Sequence, residues 1–221
     1  MRPLEMHLSV LSMGLETDIS VGVAAVVNQK YLLAGIEQLI QRYPLLNIEM
    51  VSAPQQELKE RLEKNEIDLY VAYSSSSIDT NQRFRLLAME KFVAAISPHN
   101  AQKLKEQQRN ELTTLSELRQ IIVASKHYAL PDPRILVSET YWTTDNLSMA
   151  IQMVEQGLGW GNFPLSVVKA HFNQQSLTRL AFSDTTNGLD MPIHAIWPTY
   201  KPLSQSLQFL IEFWVKQIQI E

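Results

Sequence analysis

The 221-residue chain contains no cysteine, so it can hold no disulfide framework, thiolate nucleophile or Cys-ligated zinc. Glycine and proline are sparse, at 7 and 10 residues, which excludes collagen-like and low-complexity character. No apolar run reaches the roughly 18 residues that a membrane-spanning helix needs. Excess positive charge is missing as well: 19 Lys+Arg stand against 23 Asp+Glu, a formal net charge of −4. Gripping a phosphate backbone takes a clustered basic face, so this chain alone is a poor nucleic-acid binder. The N-terminal stretch MRPLEMHLSVLSMGLETD carries Glu5 near its start and lacks a long apolar core, so it does not read as a signal peptide. A cytoplasmic location is expected.

Catalytic landmarks are equally thin. The chain has no G-x-S-x-G elbow, no G-x-x-x-x-G-K-[ST] phosphate loop and no H-E-x-x-H helix. Its five histidines, His7, His99, His127, His171 and His194, form no short metal-ligand pair. No catalytic residue, metal or cofactor is expected. The run Ser74–Ser77 reads as a solvated loop. Glu57, Glu60, Glu63 and Glu66, interleaved with Lys59, Arg61 and Lys64, read as a helix face laced with i,i+3 and i,i+4 charge pairs.

What is present is a folding pattern. Hydrophobic residues make up 45% and charged residues 19%, the range of a globular chain. Leu4, Leu8, Leu11 and Leu15 suggest a short amphipathic helix. DISVGVAAV (18–26) reads as a buried strand. After it, Leu32, Ile36, Leu39, Ile40 and Tyr43 repeat at helical spacing until Pro44. LNIEMVS (46–52) is a strand, QELKERLEKN a helix with a thin apolar side, and IDLYVAY (67–73) a third strand. Strand–helix–strand–helix–strand predicts a parallel sheet with crossover helices.

Further on, FRLLAM and KFVAAIS (91–97) read as two strands, and AQKLKEQQRNELTTLSELRQ as helix with a turn inside it. IIVAS (121–125) and RILVSET (134–140) read as strands. Asp145 or Asn146 can cap LSMAIQMVEQ, which Gly157 closes in the left-handed region. A short helix LSVVKAHF, strands near LTRLAF and IHAIW, and a last helix over about 203–219 complete the chain. Two βα blocks result, and a cleft between such blocks is the expected ligand position. The helix starting near Asn28 offers unpaired backbone N–H groups to an anion or polar group, and a second helix start lies near Asp145–Asn146. Lys126 and His127 follow a strand end, where side chains can reach a ligand.

The stretch from Asp18 to Tyr73 resembles the opening of the effector-binding domain of LysR-type transcriptional regulators. The family's strand "L-x-I-G", helix end "R/E-x-Y/F-P" and "L-x-x-G-x-I/L-D-L/A" correspond to ISVG (19–22), QRYP (41–44) and LEKNEIDLYVA (62–72), with the strand IEM (48–50) between. FVAAISPHN (92–100) is similar to the family's "V-A-x-x-x-x-H-P", with Pro and His reversed. MVEQGLGWGNFP (153–164) is similar to its "V-x-x-G-x-G-I-x-x-L-P". Together these landmarks span residue 18 to about 221.

The resemblance implies an α/β fold of two Rossmann-like subdomains with a ligand cleft between them, of the periplasmic-binding-protein type II architecture. Subdomain I would hold 18–97 and 193–221, and subdomain II 98–192. Residues 1–17 would end a linker helix, with a DNA-binding winged helix-turn-helix upstream of it. The implied function is sensing a small-molecule effector and dimerising, as a homodimer or tetramer, with DNA contacted through that upstream domain and no membrane partner. A transport-type solute-binding protein or an enzyme on the same two-lobed scaffold is the alternative.

Carried over by position, the effector contacts would be Val26, Val27 and Asn28 after the first strand, and Ser52 and Gln55 after the second. Subdomain II would add Ser125, Lys126, Asn146, Asn162 and Phe163. Many members place Ser or Thr just after the first strand, where this chain has Val26-Val27. That departure points away from a simple aromatic acid and toward an amide-rich or neutral effector. Trp160, at a position the family fills with an aliphatic residue, is expected in the core. Trp142 is the more open of the two, with a ring that could stack on a ligand.

Overall fold

The computed structural model describes residues 16–73, 80–108, 112–125, 127 and 136–218. The helix expected over residues 4–15, the Ser74–Ser77 loop, Lys126 and the start of RILVSET lie outside these residues. In chain order the elements are β1 (Asp18–Ala24), α1 (Gln29–Arg42), β2 (Asn47–Ala53), α2 (Gln55–Glu63), β3 (Leu69–Tyr73) and β4 (Gln82–Ile96). They continue as α3 (Pro98–Glu106), α4 (Thr114–Glu117), β5 (Gln120–Val123), β6 (Tyr141–Thr144), α5 (Leu147–Glu155) and β7 (Trp160–Pro164). The last are α6 (Leu165–Asn173), β8 (Thr178–Arg179), β9 (Leu189–Pro198) and α7 (Gln205–Ile218). Two compact units emerge: Met1–Ala88 with Pro192–Glu221, and Met89–Met191. The chain passes from one to the other within β4 and again within β9.

In the first unit the strand order is β2-β1-β3-β9. β1 runs parallel to β2 and β3, while β9 is antiparallel to β3. Parallel neighbours need a crossover, and the helical periodicity after each strand supplies it. α1 buries Leu32 and Leu39 and ends at Arg42, two residues before Pro44. α7 packs on it: Trp214 is fully buried, and its Nε1 donates to the Leu32 carbonyl at 3.1 Å. A Cβ on Gly35 would lie 2.3 Å from that nitrogen, so glycine there is what permits the approach. α2 buries only Leu58 and Leu62, and Arg61 pairs with Glu57 at 2.8 Å across one turn.

In the second unit β4-β7-β5-β6 lie in that order, with β8 added to β4. β7 is antiparallel to β4 and parallel to β5, and β6 is parallel to β5. Side chains alternate across the sheet. Val93, Ala95, Ile121 and Phe163 face α5 and α6 through Ala150, Ile151, Val154 and Val168. Ala94, Ile96 and Trp160 face the other way, onto Leu104 and Leu115.

Two expectations are corrected here. FRLLAM and KFVAAIS are not two strands but parts of the single strand β4. Glu90 interrupts the apolar pattern, yet its buried carboxylate accepts from the Lys91 and Ser166 amides, each at 3.2 Å, and from the Ser166 hydroxyl. RILVSET is not a strand in its described part, Leu136–Thr140; the strand is β6, just beyond. The Gln120 Oε1 accepts from the Val137 and Ser138 amides at 3.0 and 3.2 Å, a side chain doing what a ladder would.

Candidate functional site

In each unit the chemistry-bearing loops gather at the carboxyl edge of parallel strands. In the first unit, β1 and β2 run in register to Ala24 and Ala53, and the Ala25 amide donates to the Ala53 carbonyl at 3.1 Å. The loop after β1 turns at once, with the Val27 amide donating to Ala24 at 2.8 Å. Asn28 is the N-cap of α1: its Oδ1 accepts from the Lys30 amide at 3.1 Å. No acidic residue lies in that first turn, at the positive end of the helix. Gln55, half-buried, opens α2, and Ser52 is exposed one residue before the end of β2.

The structure thus brings Val26, Val27, Asn28 and Gln55 to one strand-end edge, with Ser52 beside it. Val26 is half-buried; Val27 is only 3% exposed and already counts among the core residues.

In the second unit β5 and β6 run in register, and the Ala124 amide donates to the Thr144 carbonyl at 2.8 Å. Ser125 is half-buried, and its hydroxyl accepts from the His127 amide at 3.3 Å. Asn146 is the N-cap of α5, its Oδ1 accepting from the Met149 amide at 2.9 Å. Ser125 and Asn146 therefore share one edge. Asn162 is half-buried within β7, paired with Ala94, and Phe163 is fully buried among the core side chains. The Phe163 ring has no surface left for a ligand.

Sequence reasoning missed Thr144. Its hydroxyl accepts from the Asn146 amide at 3.2 Å, steadying the cap. A threonine two residues ahead of a capping asparagine was the available signal.

The two tryptophans separate as expected. Trp160 is fully buried, and its Nε1 donates to the Leu115 carbonyl at 3.2 Å and to the Ser138 hydroxyl at 3.0 Å. Trp142 is 43% exposed, and the Arg119 guanidinium lies 4.0 Å over its ring.

Among the described residues, two shifted groups lie on and around the first unit's sheet, away from the strand-end edges. Burial pushes the His194 imidazole on β9 below its ordinary value, and the Phe84 ring meets it edge-on at 5.2 Å. The Lys201 ammonium is raised by its hydrogen bond to Asp68, 2.6 Å long, at the amino end of β3. Among the described residues no three His, Cys, Asp or Glu side chains group to hold a metal ion. No described helix is long and apolar enough to cross a membrane.

Comparison with known proteins agrees with this architecture. The model of the LysR substrate binding domain matches residues 13–219. The HTH-type transcriptional regulator AceR of Acinetobacter baumannii is 28% identical over 214 residues, which cover 96% of this chain and 71% of that protein. Among solved structures, the regulatory domain of MetR, a LysR family regulator from N. meningitidis, superposes with a TM-score of 0.71 at 15% identity, covering 90% of this chain and 92% of that one. The regulatory domain of OxyR2 from Vibrio vulnificus gives 0.70 at 19% identity, covering 90% and 95%. The chain belongs to the LysR family of transcriptional regulators and forms its effector-binding regulatory domain.

Proposed function

We propose that the effector is a small, neutral or amide-bearing metabolite recognised at strand-end loops, with Asn28, Gln55, Ser125 and Asn146 as its polar contacts. The observation that supports this most is the repeated device: each unit ends parallel strands on an asparagine-capped helix start. Such a start presents backbone N–H groups that recognise a carbonyl or other acceptor without requiring full charge. Val26, half-buried, adds an apolar surface where a hydroxyl would favour a carboxylate. Binding would shift the population between arrangements of the regulator, and so reach a DNA-binding domain elsewhere in the full protein, acting in the cytoplasm.

We also propose a homodimer. α1 exposes Leu33 and Ile40, at 56% and 47%, and the edge strand β2 exposes Met50; β6 and α5 of the second unit expose Tyr141, Trp142 and Met149. Pairing these apolar surfaces between copies would cover both. Leu33→Glu should then leave the circular dichroism spectrum intact and halve the mass by light scattering. Unchanged mass would remove this part of the proposal.

The test of the site is thermal unfolding against a metabolite panel of organic acids, amino acids, ureides and purine or pyrimidine breakdown products. A ligand at about 100 times its dissociation constant stabilises by roughly 2.7 kcal/mol, a shift of several degrees. The expected result is a saturable shift that weakens in Asn28→Ala and Gln55→Ala. A shift indifferent to both variants would dismiss the assigned contacts.

A further inference from the structure

The second unit contains a cavity that the effector-binding edge does not use. Its volume is about 690 Å³, within the range of small-molecule sites. It borders the buried cluster of Ala94, Ile96, Leu104, Leu115 and Trp160. Leu104 and Leu115, both buried, belong to that cluster and line the cavity, while Leu180 and Phe182 stay half-buried in its wall. Pro98, Ala101 and Ala181 extend this apolar wall, and Gln102, Gln108, Thr114 and Thr178 add uncharged polar groups around it.

The charged residues of the cavity carry one sign. Lys105 from α3 and Arg179 from β8 line it, and no acidic side chain is among its described lining residues. Both are exposed, and neither forms an ion pair with another described residue. Lys105 also complements the negative end of α3. Arg179 has no such role: it gives one N–H to the Asn187 carbonyl, and its fork has further donors that suit a carboxylate. Two cations around an apolar pocket, in a chain whose net charge is −4, select a ligand that is apolar in its body and anionic at one end.

We propose that this cavity is a second ligand site, taking an organic carboxylate with an aromatic or aliphatic body whose anion meets Arg179 and Lys105. It is distinct from the effector contacts assigned above, since none of Asn28, Gln55, Ser125 and Asn146 lines it.

The experiment is titration calorimetry of the 221-residue chain with 3-phenylpropanoate and with its uncharged amide. The anion should bind saturably and the amide about tenfold more weakly or worse, as expected for loss of a charge-assisted pair. Lys105→Glu, an exposed change that should not disturb folding, should weaken the anion by a similar factor. Ala101→Phe, which fills the hollow, should abolish binding while circular dichroism remains native, and Asn28→Ala should leave it unchanged. Equal affinity for anion and amide would overturn the proposal. So would binding that survives both Ala101→Phe and Lys105→Glu, binding lost in Asn28→Ala, or no saturable heat at millimolar 3-phenylpropanoate.

Discussion

The two units solve the same problem by different means. The first is held by regular secondary structure and one helix–helix seam, in which α1 and α7 meet at Gly35 and Trp214. The second fixes much of its chain with side chains bonded to backbone. Asn187 clamps β4 by accepting from the Ala94 amide at 2.8 Å and donating to the Ala94 and Leu180 carbonyls. Gln120 holds Val137 and Ser138, and Glu90 holds the start of α6 through Ser166. The lesson concerns kind of stability: apolar volume carries the first unit, and satisfied buried polar groups carry a larger share of the second.

The largest effect should therefore come from emptying the seam. Trp214→Ala removes a fully buried indole and should cost about 3–5 kcal/mol, read as a lower urea midpoint by circular dichroism. A cost under about 1 kcal/mol would mean that α7 does not seal the first unit. Next in size is the polar clamp. Asn187→Ala strips the Ala94 amide of its side-chain acceptor and should cost about 1–3 kcal/mol. Hydrogen exchange at Ala94 should accelerate while exchange in β1 and β3 stays slow; equal acceleration in both units would erase the distinction drawn between them.

This contrast also explains what could be read in advance. β1, α1, β2, α2 and β3 were legible because period-2 and period-3.6 patterns coincide with the caps that bound them, Asn28 and Pro44 above all. A cap at Asp145 or Asn146 and the left-handed Gly157, at φ 77°, were legible for the same reason, and the structure gives the cap to Asn146. The second unit resisted where a polar side chain replaced a ladder. Nothing local says that Gln120 will occupy the amides of RILVSET, or that Glu90 will be bonded inside a strand instead of ending it. Among the candidate site residues, the helix starts at Asn28 and Asn146 follow from the order of elements, whereas Gln55 and Ser125 follow only from the family resemblance. The inward turn of Phe163 follows from neither, because it depends on which face of β7 the helices α5 and α6 cover.

The smallest effect tests whether the second unit's polar contacts matter even near its surface. Glu155, at the end of α5, is held below the usual carboxylate value by hydrogen bonds from Ser176 and then from His171, whose Nδ1 lies 2.8 Å from it. A carboxyl lowered in the folded state adds stability that is complete above its unfolded value, near 4.3, and that fades as pH falls through the folded one. Glu155 and His171 are 22% and 30% exposed in their side chains, so water screens the pair and the gain should be about 1 kcal/mol or less. Glu155→Gln should lower the melting temperature slightly at pH 7, and the gap between variant and parent should close as pH drops below about 4. A gap that persists at pH 3 would mean that the side chain acts through packing and not through its charge, and that the polar character of the second unit stops at its buried clamps.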